Sequence, residues 1–371
     1  MTLQLVSAGE SHGPALVAIL TGLPAGLRLD KDAIDADLRR RQQGYGRSPR
    51  QQLETDEVEV LAGLRHGVTL GTPLALVVHN RDHRNWLWGM SPWQPEGEPD
   101  GKGTKPVTLP RPGHADLAGV LKFGHADVRN ALERASARHT AVHVAAGAVA
   151  KALLRELGIE VAGHPVEIGG ETTDDGMREA TDAARADRDT LGGIVEVVAT
   201  GVPPGFGSYA EKADRLDARI AAALTGIQAV KGVEIGDGFD LARRRGSEAH
   251  DEIEPLGAGE GVRRRTNRAG GLEAGVSNGE PIVVRAAMKP LPTLMRPLDS
   301  VDLATGEAAQ ALVERSDVQA VEALAVVAEA AVAWELARVA REKLGGDALI
   351  DVLAAYGHYL ERIGDRWQPT A

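Results

Sequence analysis

An ordered internal echo constrains this chain more than any other feature. Thr21-Gly22-Leu23-Pro24-Ala25-Gly26 returns as Thr200-Gly201-Val202-Pro203-Pro204-Gly205. Gly63-Leu64, Gly67-Val68-Thr69, Gly71 and Pro73 return at the same spacing as Gly271-Leu272, Gly275-Val276-Ser277, Gly279 and Pro281. An alanine-rich helix predicted over about 136–157 has a counterpart over about 318–344, and Glu-Arg precedes each. Matches in one order, about half the chain apart, read as two copies of a strand-turn-helix unit. Neither copy has a complete core, so the two must pack on one another. The expected fold is therefore an α/β (α+β) layered sandwich, with two repeated halves of about 1–165 and 190–371 packed into a single domain over 1–371.

Composition limits what such a fold can do. With 371 residues and 43% hydrophobic, the chain can bury a large core, and at 3% aromatic that core must be aliphatic and closely packed. The formal charge of -11 argues against nucleic acid as a partner. The absence of cysteine excludes disulfides, thiolate metal sites and a cysteine nucleophile. No basic start precedes an apolar run at the N-terminus, and no stretch reaches the ~18 apolar residues of a membrane span. A cytoplasmic protein without a membrane partner is the expectation.

Several segments carry chemistry. A short apolar strand runs into Gly9-Glu10-Ser11-His12-Gly13, where glycines let the backbone turn and hold His12 at the strand end. A helix over about 30–42 ends in Arg39-Arg40-Arg41, and Arg47 and Arg50 follow in a Gly-rich loop. Basic residues at a helix C-terminus suit the macrodipole, but Arg47 and Arg50 lie beyond it. Five arginines so close together make a local anion trap, suited to a small polyanion through carboxylate and phosphate forks. The stretch 111–140 joins a Gly-Pro loop carrying His114 and Asp116 to the Arg- and Ser-bearing start of a helix, two ordinary ingredients of an active site. Residues 80–105, with three tryptophans and little periodicity, read as a lid or binding loop. His79 and His83 lie four apart, but no helix pattern and no third ligand accompany them, so no metal is expected. Arg315-Ser316-Asp317 opens the last long helix, where Ser316 or Asp317 could serve as a cap.

Taken together, GESHG at 9–13, RRRQQGYGR at 39–47, RPGHAD at 111–116, ERASAR at 133–138, GIQAVKGVEIG at 226–236, RTNRAGG at 265–271 and KPLPT at 289–293 resemble the chorismate synthase family, from the first strand to the last helix. The resemblance implies a lyase that makes chorismate from 5-enolpyruvylshikimate 3-phosphate by 1,4-elimination of phosphate, using reduced FMN in a redox-neutral reaction. It also implies that His12 protonates the departing phosphate, that His114 acts near flavin N1 and that Asp317 lies near N5. Ser11, Arg41, Arg47 and Arg50 would hold the substrate. Flavin contacts would come from Arg134-Ala135-Ser136, Gln228-Ala229, Ala274, Lys289-Pro290-Leu291-Pro292-Thr293 and Arg315. A homotetramer is implied as well. A nicotinamide nucleotide is sometimes placed at Arg41 and Arg47, but no Gly-rich dinucleotide fingerprint follows a strand here, so an external flavin reductase would supply the reduced cofactor.

Two segments depart from the family pattern. His139 stands where RASARET would put a glutamate, and Ser48-Pro49 stand where glycine is common, stiffening the arginine loop. The alternative function is a non-catalytic flavin- or anion-binding protein of the same fold. Retention of both His12 and His114 argues against it.

Overall fold

Two four-stranded antiparallel sheets frame the molecule in a computed structural model that describes residues 2–47, 55–257, 261–314 and 316–364. The first half runs β1 (Gln4–Ala8), β2 (Ala15–Thr21), α1 (Lys31–Gln42), β3 (Val58–Ala62), the small hairpin β4 (Leu64–Arg65) and β5 (Val68–Thr69), then β6 (Leu74–His79). Helices α2 (Asp116–Phe123), α3 (Arg129–Ala135) and α4 (Thr140–Glu156) follow. The second half runs β7 (Glu160–Ile168), α5 (Asp174–Ala186), β8 (Gly193–Thr200), α6 (Leu216–Thr225), β9 (Val230–Ile235) and α7 (Gly246–Ala249). Two hairpins come next, β10 (Ile253–Pro255) with β11 (Val262–Arg264) and β12 (Leu272–Glu273) with β13 (Val276–Ser277). The chain closes with β14 (Ile282–Met288), the hairpin β15 (Asp299–Val301) and β16 (Ala308–Gln310), α8 (Val321–Leu344) and α9 (Leu349–Ile363). The sheet orders are β1-β2-β6-β3 and β7-β8-β14-β9, so each places its strands first, second, fourth, third.

Strand patterning follows from burial on one face. In β2, Leu16, Ala18 and Leu20 are buried while Ile19 is 44% exposed, and in β8 Val195, Val197 and Ala199 are buried against intervening half-buried residues. A period of two on each strand presents one apolar face inward. Between the sheets lie α4, packed on β2 and β6, and α8, packed on β7 and β8. Both helices are buried nearly all round, which the surface helices of a two-layer fold are not. They approach closely because small residues meet: a Cβ on Gly147 would come 2.3 Å from the Cβ of Ala330. Each fully buried leucine of α4, such as Leu153 and Leu154, contributes roughly 1.5–3 kcal/mol by leaving water.

The echoed turns make the same contact in each half. Thr69 Oγ1 donates to Pro24 O (2.6 Å) and accepts from Leu27 N (3.0 Å), while Ser277 Oγ donates to Pro203 O (2.6 Å) and accepts from Phe206 N (2.8 Å). A buried hydroxyl thus ties each Gly-Pro turn to the following hairpin. Gly22 and Gly201 have φ of 82° and 74°, and a Cβ on either would strike a carbonyl oxygen.

Element boundaries differ from expectation where side chains intervene. The helix expected from about 136 begins at Thr140, because Ser136 Oγ accepts from Arg138 N and caps a short 3-10 turn over Ala137–His139. The other alanine-rich helix begins at Val321, whose N–H donates to Gln319 Oε1 (2.6 Å). The loop over 80–105 is irregular after one 3-10 turn at Arg81–Asn85, and its Trp86 is buried. Among the described residues, no helix is long and apolar enough to cross a membrane.

Candidate active site

A cavity of about 450 Å³ opens where the GESHG turn, the 111–116 loop, the start of α4, the exit of β14 and the entry to α8 meet. Ser11, His12, His114, Asp317, Arg41 and Arg47 all line it. Ala135, Ser136, Gln228, Ala229, Lys289, Leu291, Pro292 and Thr293 line it as well. Arg134, Ala274 and Pro290 are absent from the lining. The Arg134 guanidinium instead donates to Gly9 O (3.1 Å), Ser7 O (3.2 Å) and Ser7 Oγ (3.2 Å), bracing the end of β1. Ala274 sits in the β12–β13 hairpin turn with φ 51°, and Pro290 is exposed. Arg50 and Arg315 lie outside the described residues, as do Ser48 and Pro49.

Each histidine is held by a buried carboxylate. Glu133, 2% exposed, accepts from His12 N (2.8 Å) and from His12 Nδ1–H (2.9 and 3.0 Å to its two oxygens). The His12 ring stacks on Trp86 with centroids 3.9 Å apart and planes 17° apart, and His83 Nδ1 donates to His12 O (2.9 Å). His114 Nδ1–H donates to Asp116 Oδ1 (2.5 Å), and Asp116 is wholly buried. Arg111 reaches the same carboxylate through N (3.0 Å), Nε (2.9 Å) and Nη2 (3.2 Å), and Nη1 donates to Thr293 Oγ1 (3.0 Å). Burial alone would raise the Asp116 carboxyl, but the hydrogen bonds from His114 and Arg111 outweigh it and hold it below the usual carboxylate range. With Nδ1 committed in both rings, any proton exchanged with a ligand passes through Nε2.

Cations outnumber anions around this space. Among the described lining residues, Arg41, Arg47, Arg111, Arg138 and Lys289 face Glu314 and Asp317. Arg138 Nη1 donates to both oxygens of Asp56 (2.7 Å each), and Arg41 Nη1 donates to Oδ2 of the same carboxylate (3.4 Å). One buried aspartate therefore serves two guanidinium groups, leaving net positive charge. Burial pushes Arg41 down to about 10, with Asp56 opposing, so it is still charged at neutral pH. Burial, and then Lys231, also lowers Lys289. Arg47 pairs with Asp317 (3.0 Å), yet its Nε is buried with no hydrogen-bond partner among the described residues. A buried N–H without an acceptor is costly, and an anion in the cavity would remove that cost. The donors suit phosphate and carboxylate groups, while Ile227, Ala229, Met288, Leu324 and Val327 offer an apolar wall for a flat ring system.

The arginine-rich run divides between structure and site. Arg40 forks onto Glu329 (2.9 and 2.8 Å) and ties α1 to α8, Arg39 is exposed, and only Arg41 and Arg47 reach the cavity among the described arginines of that run. Residues to which the sequence assigns no role in the site are Glu133, Asp116, Arg111, Arg138 and Asp56. The first four stand inside the motifs ERASAR and RPGHAD, but nothing in one sequence says which side chain meets which. His79 and His83 serve separate partners, with His79 Nε2 against Glu59 (2.6 Å). His139 takes Ser136 O on Nδ1 (3.0 Å) and Gln228 Nε2 near Nε2 (3.2 Å), and burial lowers it further below its ordinary range than the Ser136 bond can restore.

Comparison with known proteins gives one answer throughout. The family model described as Chorismate synthase matches residues 3–340. Curated chorismate synthases of Rubrobacter xylanophilus and Desulforudis audaxviator are 53% and 52% identical, covering 96% and 97% of this chain and 96% and 98% of their own length. A solved structure described as "Crystal Structure of Chorismate Synthase" superposes with a TM-score of 0.78 at 37% identity, over 98% of both chains.

Proposed function

The chain belongs to the chorismate synthase family, and from that premise we propose how its cavity performs the reaction with reduced FMN. The enzyme is a carbon–oxygen lyase: 5-enolpyruvylshikimate 3-phosphate loses phosphate in a 1,4-elimination to give chorismate, the last step of the shikimate pathway. The allylic C–O bond breaks with its electron pair on phosphate, and a C–H bond gives its pair to the new double bond while its proton passes to a base in the cavity. Reduced FMN, when bound, would supply electron density to the substrate with no net redox change.

In this reading the protein binds, orients and moves protons. His12 would donate its Nε2 proton to the departing phosphate, a positioned acid being worth ~10²–10⁴ in rate. Arg41 and Arg47, with Ser11 beside them and Arg50 in the same run, would hold the substrate's acidic groups. His114 would hold a proton near flavin N1, and Asp317 would face N5 once substrate draws Arg47 away from it. Ala135, Ser136, Gln228, Ala229 and the Lys289–Thr293 strand exit would form the flavin wall, and Arg315 would join it. Arg134 and Ala274 would support that wall from outside the lining. The same reading makes the chain one domain over 1–371, built from two copies of a strand-turn-helix unit, which the equal strand order of the two sheets supports. It would work in the cytoplasm as a homotetramer and take reduced FMN from a separate reductase.

The observation that carries this reading is the convergence of two carboxylate-held histidines and several arginines, distant in sequence, on one cavity. The test is an anaerobic assay of phosphate release from the enolpyruvyl substrate. Turnover with reduced FMN and none with oxidised FMN is expected. Equal rates with and without reduced flavin would end the mechanism proposed.

A further inference from the structure

His12 belongs to a chain of charges that runs back along α3. Glu133 engages both its backbone N–H and its Nδ1–H, and one helical turn earlier Arg129 brings Nη1 to 3.6 Å from Glu133 Oε1. The Arg129 guanidinium lies over Trp86, 5.0 Å from the ring centroid, and Trp86 is the ring on which His12 stacks. Among the described residues, both Nε and Nη1 of Arg129 are buried without a hydrogen-bond partner. A guanidinium placed so, with poor hydrogen bonding, acts mainly through its charge.

We propose that Glu133 and Arg129 are positioning residues for the proton donor: Glu133 orients His12 and compensates its charge, while Arg129 weakens that compensation so that the Nε2 proton can leave. This rests on the reading of His12 as donor to the departing phosphate. During the step the His12 Nε2–H bond breaks, a phosphate O–H bond forms, and the electron pair of the broken C–O bond stays on that phosphate. Other groups around the ring are fixed. His83 bonds its carbonyl oxygen, Asp82 accepts from Trp86 Nε1–H (3.0 Å), Lys102 stands 5.8 Å from the Trp86 ring, and Arg41 and Arg138 line the same cavity. Among the described residues, Arg129 and Glu133 supply opposite charges along a single path to Nδ1. Removing each should therefore displace the pH dependence in opposite senses.

The experiment is steady-state kinetics of the full-length enzyme with reduced FMN, under anaerobic conditions, from neutral to alkaline pH. Glu133→Gln should lower kcat about 10²-fold, leave KM nearly unchanged and move the alkaline limb of kcat to lower pH. Glu133→Asp should recover most of the loss. Arg129→Met should move the same limb to higher pH with little change in KM, and it stands as the test if Glu133→Gln does not fold. An active wild type whose alkaline limb stays in place in Arg129→Met, or moves to lower pH, would overturn the proposal. A wild type without turnover would remove the parent reading and this inference with it.

Discussion

His12 and His114 each give Nδ1–H to a buried carboxylate, but the charge around the two rings differs. Glu133 accepts from His12 and meets Arg129 only at 3.6 Å, so most of its charge is directed at the histidine. Asp116 takes three bonds from Arg111, whose Nη2 also lies 3.2 Å from His114 Nδ1. The carboxylate under His114 is thus shared with a guanidinium that also reaches the ring, whereas the carboxylate under His12 has its guanidinium 3.6 Å away. The same hydrogen bond can thus serve the two tasks proposed above: His12 giving its Nε2 proton to the departing phosphate, and His114 presenting Nε2 to the flavin.

Removing the donor should break this contrast most severely. His12→Ala is expected to lower kcat by ~10²–10⁴, read as phosphate release under anaerobic conditions, with the overall fold intact by circular dichroism. A comparable rate in the variant would show that the two rings do not divide the work.

Next in size is Asp116→Asn. It leaves the buried Arg111 guanidinium with the partly exposed Glu314, at 3.3 Å, in place of the buried Asp116 pair, so a loss of about 3 kcal/mol in urea unfolding is expected. Glu133→Gln should cost less, because its main partners are a ring nitrogen and a backbone N–H. Equal losses would place the two carboxylates in the same role.

A third histidine sharpens the comparison by lacking this arrangement. His143 has Ser7 Oγ at 3.0 Å where the other two have a carboxylate, and burial, with smaller contributions from His139 and Arg134, pushes it down to about 4. The unfolded chain then binds this proton near its ordinary pKa of ~6.5 and the folded chain only near 4. Stability is therefore full above the unfolded value and falls as pH drops through that window, by on the order of 2–3 kcal/mol. His143→Gln should flatten that part of the stability–pH curve, and an unchanged slope would contradict the account.

The smallest effect is expected from Trp86→Phe. The stack under His12 survives, while the Nε1–H bond to Asp82 is lost, so stability should fall by ~1 kcal/mol. Calorimetry and kcat together would check it, and kcat should be nearly unchanged.

The unequal legibility of these features has physical causes. Leu16, Ala18 and Leu20 alternate because one face of β2 is buried, and a single sequence shows that period directly. His12 and His114 stood out because glycines flank or precede them in loops. Glu133 was hidden because it meets His12 across 121 residues of chain, and no local period encodes such a pair. Arg39, Arg40 and Arg41 read as one cluster, but successive helical residues point about 100° apart, so one faces solvent, one Glu329 and one the cavity. The start of α4 moved to Thr140 for a similar reason: the Ser136 hydroxyl competes for the backbone and caps a separate turn.

The most direct test of the division of labour is His114→Ala, measured anaerobically for both turnover and affinity for reduced FMN. The account predicts that kcat falls far more than flavin affinity, because the ring handles a proton and the wall of Gln228, Ala229 and Lys289–Thr293 holds the cofactor. Equal losses in the two quantities would show that His114 merely shapes the pocket, and would contradict it.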